Sequence, residues 1–260
     1  MEKQDVLNDA QDITIVRNLG NGNFIYGARP SLETQRHLYE LSISAPEDAN
    51  IPEFKSGYWE FDEETGINGS STYLALRFDK CSLRPFGLWL PELLEAKTLK
   101  SQGKLEKGVY RDYGIVVFND KNPDEDVAKA LVSQARIMGL QLPLIAPFRA
   151  LDYSVNGKQI NPFFVQSSQG IISGESARRE IDLFDYKGDS GVCGLYLDRN
   201  LDLYSDGGGL DNAVDDGRVD WVCGETHRAE LEGSFDALLE REYGKEMRRK
   251  RESFQRLLVQ

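Results

Sequence analysis

Hydrophobic and polar positions alternate most legibly between Tyr113 and Tyr153, where two apolar runs flank an amphipathic stretch. The run from Tyr113 to Phe118 is continuous and rich in strand-forming residues, and Asn119, Asp120, Asn122 and Pro123 break it as a loop does. Asn122 is placed to cap a helix with Pro123 at its first position. Asp124, Glu125 and Asp126 would fill the first turn, where the partial positive charge of a helix start favours acids. Val127, Leu131, Ala135 and Met138 then recur at spacings of three and four, and Gly139 supplies a left-handed stop. Leu142 to Phe148 is the second apolar run. A strand, a helix and a strand of these lengths usually join two parallel strands, so the expectation is a central βαβ unit in a partly parallel sheet.

The same reading extends to both sides of this unit. Ile13 to Val16 and Phe24 to Tyr26 flank an Asn-Gly turn and predict a hairpin. Pro30 and Ser31 open a helix with Leu32, Gln35, Leu38, Tyr39 and Leu41 on its buried side and His37 off it. A weakly alternating run from Tyr58 to Phe61 reads as a strand. Thr72, Leu74, Leu76 and Phe78 alternate with Tyr73, Ala75 and Arg77, which predicts a second one. Pro91 opens a helix that ends near Gly103. From Tyr153 to Gly224 the pattern is of short strands and turns, with hairpin signals at Asn156-Gly157 and Asp216-Gly217 and two strands around Arg199. The longest helix runs from Ser234, read as its cap, to about Leu258. Its stripe is Phe235, Leu238, Leu239, Tyr243, Met247, Phe254, Leu257 and Leu258. The fold class is therefore mixed α+β. Residues 1–153 would form a mixed sheet region with the crossover helix, 154–224 an Asp/Gly-rich antiparallel region and 225–260 a docking helix, in one domain or several.

Charge narrows the function. A net charge of −12 opposes a body that wraps nucleic acid and leaves only the basic helix segment, with Arg248, Arg249 and Arg251, to meet phosphates. The first residues are polar and the apolar runs are far below the ~20 residues that span a bilayer, so a cytoplasmic location is expected. Three widely spaced cysteines, Cys81, Cys193 and Cys223, do not make a disulfide framework.

Four constellations could carry chemistry. Asp79 at a strand end, followed by Glu95 and Lys97, resembles the metal-binding pattern of restriction-type nucleases. There, two carboxylates hold a divalent cation and the lysine steadies the attacking water. A helix from Pro91 would set Glu95 and Lys97 on nearly opposite sides. Asp198, Asn200, Asp202 and Asp206 offer oxygen ligands in the manner of a calcium loop. Leu203 and Gly209 stand where the turn glycine and bidentate glutamate belong, which favours a plain hairpin. Cys193, Cys223 and His227 could serve zinc, but the close cysteine pairs of structural zinc sites are missing. Gly188 to Gly191 resembles the nucleophile loop of chymotrypsin-type proteases, without a histidine base in a matching motif.

No complete catalytic set emerges, no cofactor is expected, and a divalent metal is the one allowed. The reading favoured is a non-enzymatic interaction or assembly protein that binds a protein partner, or itself, through the C-terminal helix. Its alternative is the divalent-metal-dependent nuclease. In a sheet with parallel strands, ligands lie beyond the carboxyl ends of strands, which directs attention to Asn119, Asp120 and Arg149.

Overall fold

A computed structural model describes residues 1–44, 59–105, 107–118, 126–156, 159–165, 170–181, 192–197, 203–204 and 217–258. In chain order the elements are α1 (Lys3–Asp9), β1 (Asp12–Gly20), β2 (Asn23–Arg29), α2 (Leu32–Ser44), β3 (Glu60–Asp62), β4 (Gly66–Asn68) and α3 (Thr72–Phe78). They continue with β5 (Leu88–Trp89), α4 (Leu93–Ser101), β6 (Tyr110–Phe118), α5 (Asp126–Ile137), β7 (Leu144–Pro147), β8 (Leu151–Asn156) and β9 (Gln159–Phe164). The last are β10 (Ile172–Ser173), α6 (Gly174–Ile181), β11 (Val192–Leu197), β12 (Leu203–Tyr204), β13 (Gly217–Arg218), β14 (Val222–His227) and α7 (Arg228–Leu258).

The strands form two larger sheets and one ribbon. The first sheet has the order β1-β2-β14-β5 and begins with the expected hairpin. Its turn uses Asn21 at φ 53° and Gly22 at φ 79°, the left-handed pair that a two-residue hairpin loop needs. The second sheet runs β10-β7-β6-β13-β4-β3, with β11 also on β6. β8 and β9 make the ribbon. β13 and β14, which follow the aspartate-rich stretch, pair with strands from the first half of the chain in both sheets.

The central strand, helix and strand are present as β6, α5 and β7. α5 ends as the sequence predicts: Gly139 sits at φ 74°, and the amides of Gly139 and Leu140 donate to the carbonyls of Arg136 and Ala135. The expected cap at Asn122 lies outside the described residues. The direction of pairing is corrected: β6 and β7 are antiparallel, with Phe118 opposite Leu144 and Ile115 opposite Pro147. The sheet is partly parallel through another pair, Gly217 and Arg218 of β13 against Tyr110 and Arg111 of β6.

Two other expectations change. Residues 72–78 form the helix α3 and not a strand, and every one of them is buried. A helix covered on all sides has no polar face to mark its period, so chance alternation imitated a strand. Ser71 caps α3, accepting from the Leu74 amide at 3.3 Å. At the C-terminus, α7 starts at Arg228, and Ser234 is not its cap but a buried interior residue. The Ser234 hydroxyl meets the Glu230 carbonyl at 2.9 Å and the Asn8 side chain of α1 at 2.8 Å, tying α7 to the N-terminal helix.

The main core gathers α1, α2, α3 and α5 around Tyr26, Leu74, Phe78, Phe118 and Phe148. A second core fills the space between the two sheets under α4, with Leu93, Leu99, Ile115, Val117, Ile145 and Trp221. The strap from Leu88 to Glu92, which is β5 and the three residues that lead into α4, borders both.

Candidate functional site

The strap is held at Leu90, Pro91 and Glu92. Asp79, at the end of α3, accepts from the Leu90 amide at 2.9 Å and from Arg84 Nε at 2.6 Å. Arg84 reaches on to the Phe148 carbonyl. Pro91 accepts through its carbonyl from the Gly114 amide at 3.1 Å. A Cβ at Gly114 would stand 2.9 Å from the Leu90 carbonyl oxygen, so β6 passes the strap this closely only as glycine. Glu92 then caps α4 reciprocally with Glu95: each side chain accepts from the other's backbone amide, at 3.1 Å for the Glu92 amide.

These anchors place Glu92 against Arg149, which follows β7. The pair is bidentate, with Arg149 Nε 2.9 Å and Nη2 3.0 Å from the two carboxylate oxygens. Beside it opens a cleft of about 290 Å³ whose lining includes Arg17, Glu92, Glu95, Ile115, Ile145, Arg149, Gly170 and Ile172. Glycine is favoured at 170 by its φ of +83°, and a Cβ there would lie 2.8 Å from Arg149 Nη2, which would have to shift.

Burial dominates the electrostatics of the cleft. It pushes the Glu92 carboxyl up to about 7; Arg149 opposes the shift, and the nearby charges of Glu95 and Asp79 add to it. Burial also raises Asp79, against the pull of Arg84, and raises the Cys223 thiol well above its usual range, which keeps it protonated and unreactive. Because folded Glu92 holds a proton that the unfolded chain releases, its contribution to stability falls as pH rises from the ordinary 4.5 through about 7. Asp112, pushed by burial up to about 6, acts in the same sense. Glu92→Gln is therefore expected to flatten the loss of thermal stability across that window. An unchanged slope would mean that Glu92 titrates in the ordinary carboxylate range.

The sequence candidates are distributed as follows. Asp79 and Glu95 border the site, but each is buried and engaged with backbone amides. Lys97 turns away and pairs with Glu180 of α6. Arg149 lines the cleft. Cys193 lies on β11 opposite Val117, whereas Cys223 lies on β14 in the other sheet opposite Trp89, and His227 is at that strand's exposed end. Among the described residues, no group of three or more His, Cys, Asp or Glu is arranged to hold a metal ion. Arg248, Arg249 and Arg251 belong to α7, with Arg249 exposed. Asn119, Asp120, Asp198, Asn200, Asp202, Asp206 and the Gly188 to Gly191 segment lie outside the described residues.

Sequence reasoning missed Arg17 and Glu92. The one local signal was the spacing of Glu92 and Glu95, three apart at the start of a predicted helix, which is capping-box spacing. Arg17 sits on a hairpin strand and carries no signature. No protein-family model, no curated protein and no solved structure matches the chain. Among the described residues no helix is long and apolar enough to cross a membrane.

Proposed function

We propose that the chain is an assembly protein that associates with a second copy of itself through the exposed side and basic end of α7. The observation that carries this reading is the division of the helix. Its first turns are seated on the body by buried Leu231 and Ser234 and by Arg241, which donates to the Ala10 carbonyl. One turn apart on another side, Leu239 and Tyr243 remain 64% and 67% exposed. Large apolar side chains at i and i+4 form one patch on a helix, and here the patch leads into a basic stretch. Lys245, Arg248, Arg249, Lys250, Arg251 and Arg256 stand there against only Glu246 and Glu252. In a chain of net charge −12, such a stretch is complementary to the body of another copy.

Light scattering of the purified chain is expected to give a dimer mass. The double variant Leu239→Glu, Tyr243→Glu, which alters exposed positions only, is expected to give a monomer with an unchanged circular dichroism spectrum. Equal masses for the two proteins would overturn the assignment to this patch. A monomeric wild type that binds duplex DNA would assign the basic stretch to nucleic acid instead.

A further inference from the structure

We propose that the cleft at the start of α4 binds a small organic carboxylate with an apolar body, its acid group held by Arg17 and Arg149 and its body against Ile115, Ile145 and Ile172. The cleft is a separate site from α7, and the proposal does not depend on self-association.

Three features of the cleft point to this class. Its volume, about 290 Å³, suits a molecule the size of an aromatic or branched-chain acid. Its wall is largely the edge of the second core, with Ile115 and Ile145 buried behind it and the half-buried Ile172 offering apolar surface that a ligand's body would cover. Its charged lining is Arg17 and Arg149 with Glu92 and Glu95, and the two cations are not held alike. Glu95 is buried and accepts from the Glu92 amide, and Glu92 is paired with Arg149, so among the described residues Arg17 is the cation of the lining with no carboxylate within ion-pair distance.

Both arginines have capacity for an anion. Arg17 is exposed and has no ion-pair partner among the described residues. Arg149 uses one N–H of Nε and one of Nη2 on Glu92, and a guanidinium carries five in all. The bidentate pair with Glu92 orients the Arg149 plane before any ligand arrives, and such preorganisation lowers the ordering cost of binding. A bound acid would lie near Glu92, so its binding is favoured where Glu92 is protonated. Glu95, Asp79 and Cys223 on the inner side and Arg17 and Arg149 on the outer side are the other groups that face Glu92.

The test uses the full chain with 3-phenylpropionate as the probe and 3-phenylpropanol, the same shape without the charge, as its control. Methyl resonances of Ile115, Ile145 and Ile172 are followed by NMR at about millimolar probe. The acid is expected to shift these three methyls saturably and the alcohol to leave them nearly unmoved. Arg17→Gln, at an exposed position that leaves the fold intact, is expected to weaken the acid about tenfold. Ile172→Ala is expected to weaken it as well, by removing part of the apolar wall. No saturable shift with the acid, equal shifts with acid and alcohol, or undiminished affinity in Arg17→Gln would each overturn the proposal.

Discussion

Asp220→Ala is expected to cost about 3–5 kcal/mol of folding stability, because it leaves Arg111 charged and buried without its carboxylate. Arg111 and Asp220 are each 4% exposed and meet through Nε at 3.0 Å and Nη2 at 3.2 Å, with Arg29 3.9 Å from the same carboxylate. Arg111 is on β6 in one sheet, Arg29 on β2 in the other, and Asp220 on the short link between β13 and β14. One carboxylate thus joins the two sheets at the point where the chain passes between them. Asp220→Asn retains an acceptor and is expected to cost less than alanine. Urea denaturation measures both. A loss below about 1 kcal/mol for alanine, the value for an exposed ion pair, would contradict this role.

Asp79→Ala is the second large effect, about 1–3 kcal/mol. Asp79 is 1% exposed, and its removal leaves the buried Leu90 amide without its acceptor and Arg84 with only the Phe148 and Leu151 carbonyls, so the strap that positions Glu92 loses its inner anchor. This variant also separates a scaffold role from a catalytic one. A carboxylate that holds a metal for nuclease chemistry can be replaced while the fold survives and cleavage is lost. An Asp79→Ala protein of undiminished stability that has lost magnesium-dependent cleavage would put the alternative, the nuclease, ahead of the assembly protein.

What could be read from the sequence was local. The β1–β2 hairpin is announced by Asn21 and Gly22, the end of α5 by Gly139, and α4 by Pro91, because turn and cap chemistry depends on a few adjacent residues. Strand direction was not legible. Apolar periodicity has no sign, and Phe118 facing Leu144 means that the chain leaves and re-enters the β6–β7 pair at one end. α3 was hidden by its complete burial. The site was harder still, since its pairs join residues far apart: 57 positions separate Glu92 from Arg149 and 109 separate Arg111 from Asp220. Such pairs are set by sheet order, which a single sequence does not print.

Self-association through α7 is tested most directly by sedimentation velocity of the unmodified chain over a range of concentrations, at low and at high salt. The account predicts a dimer at low salt that dissociates toward monomer as salt screens the basic stretch from the acidic body of the other copy. A monomer at every concentration in low salt would contradict it.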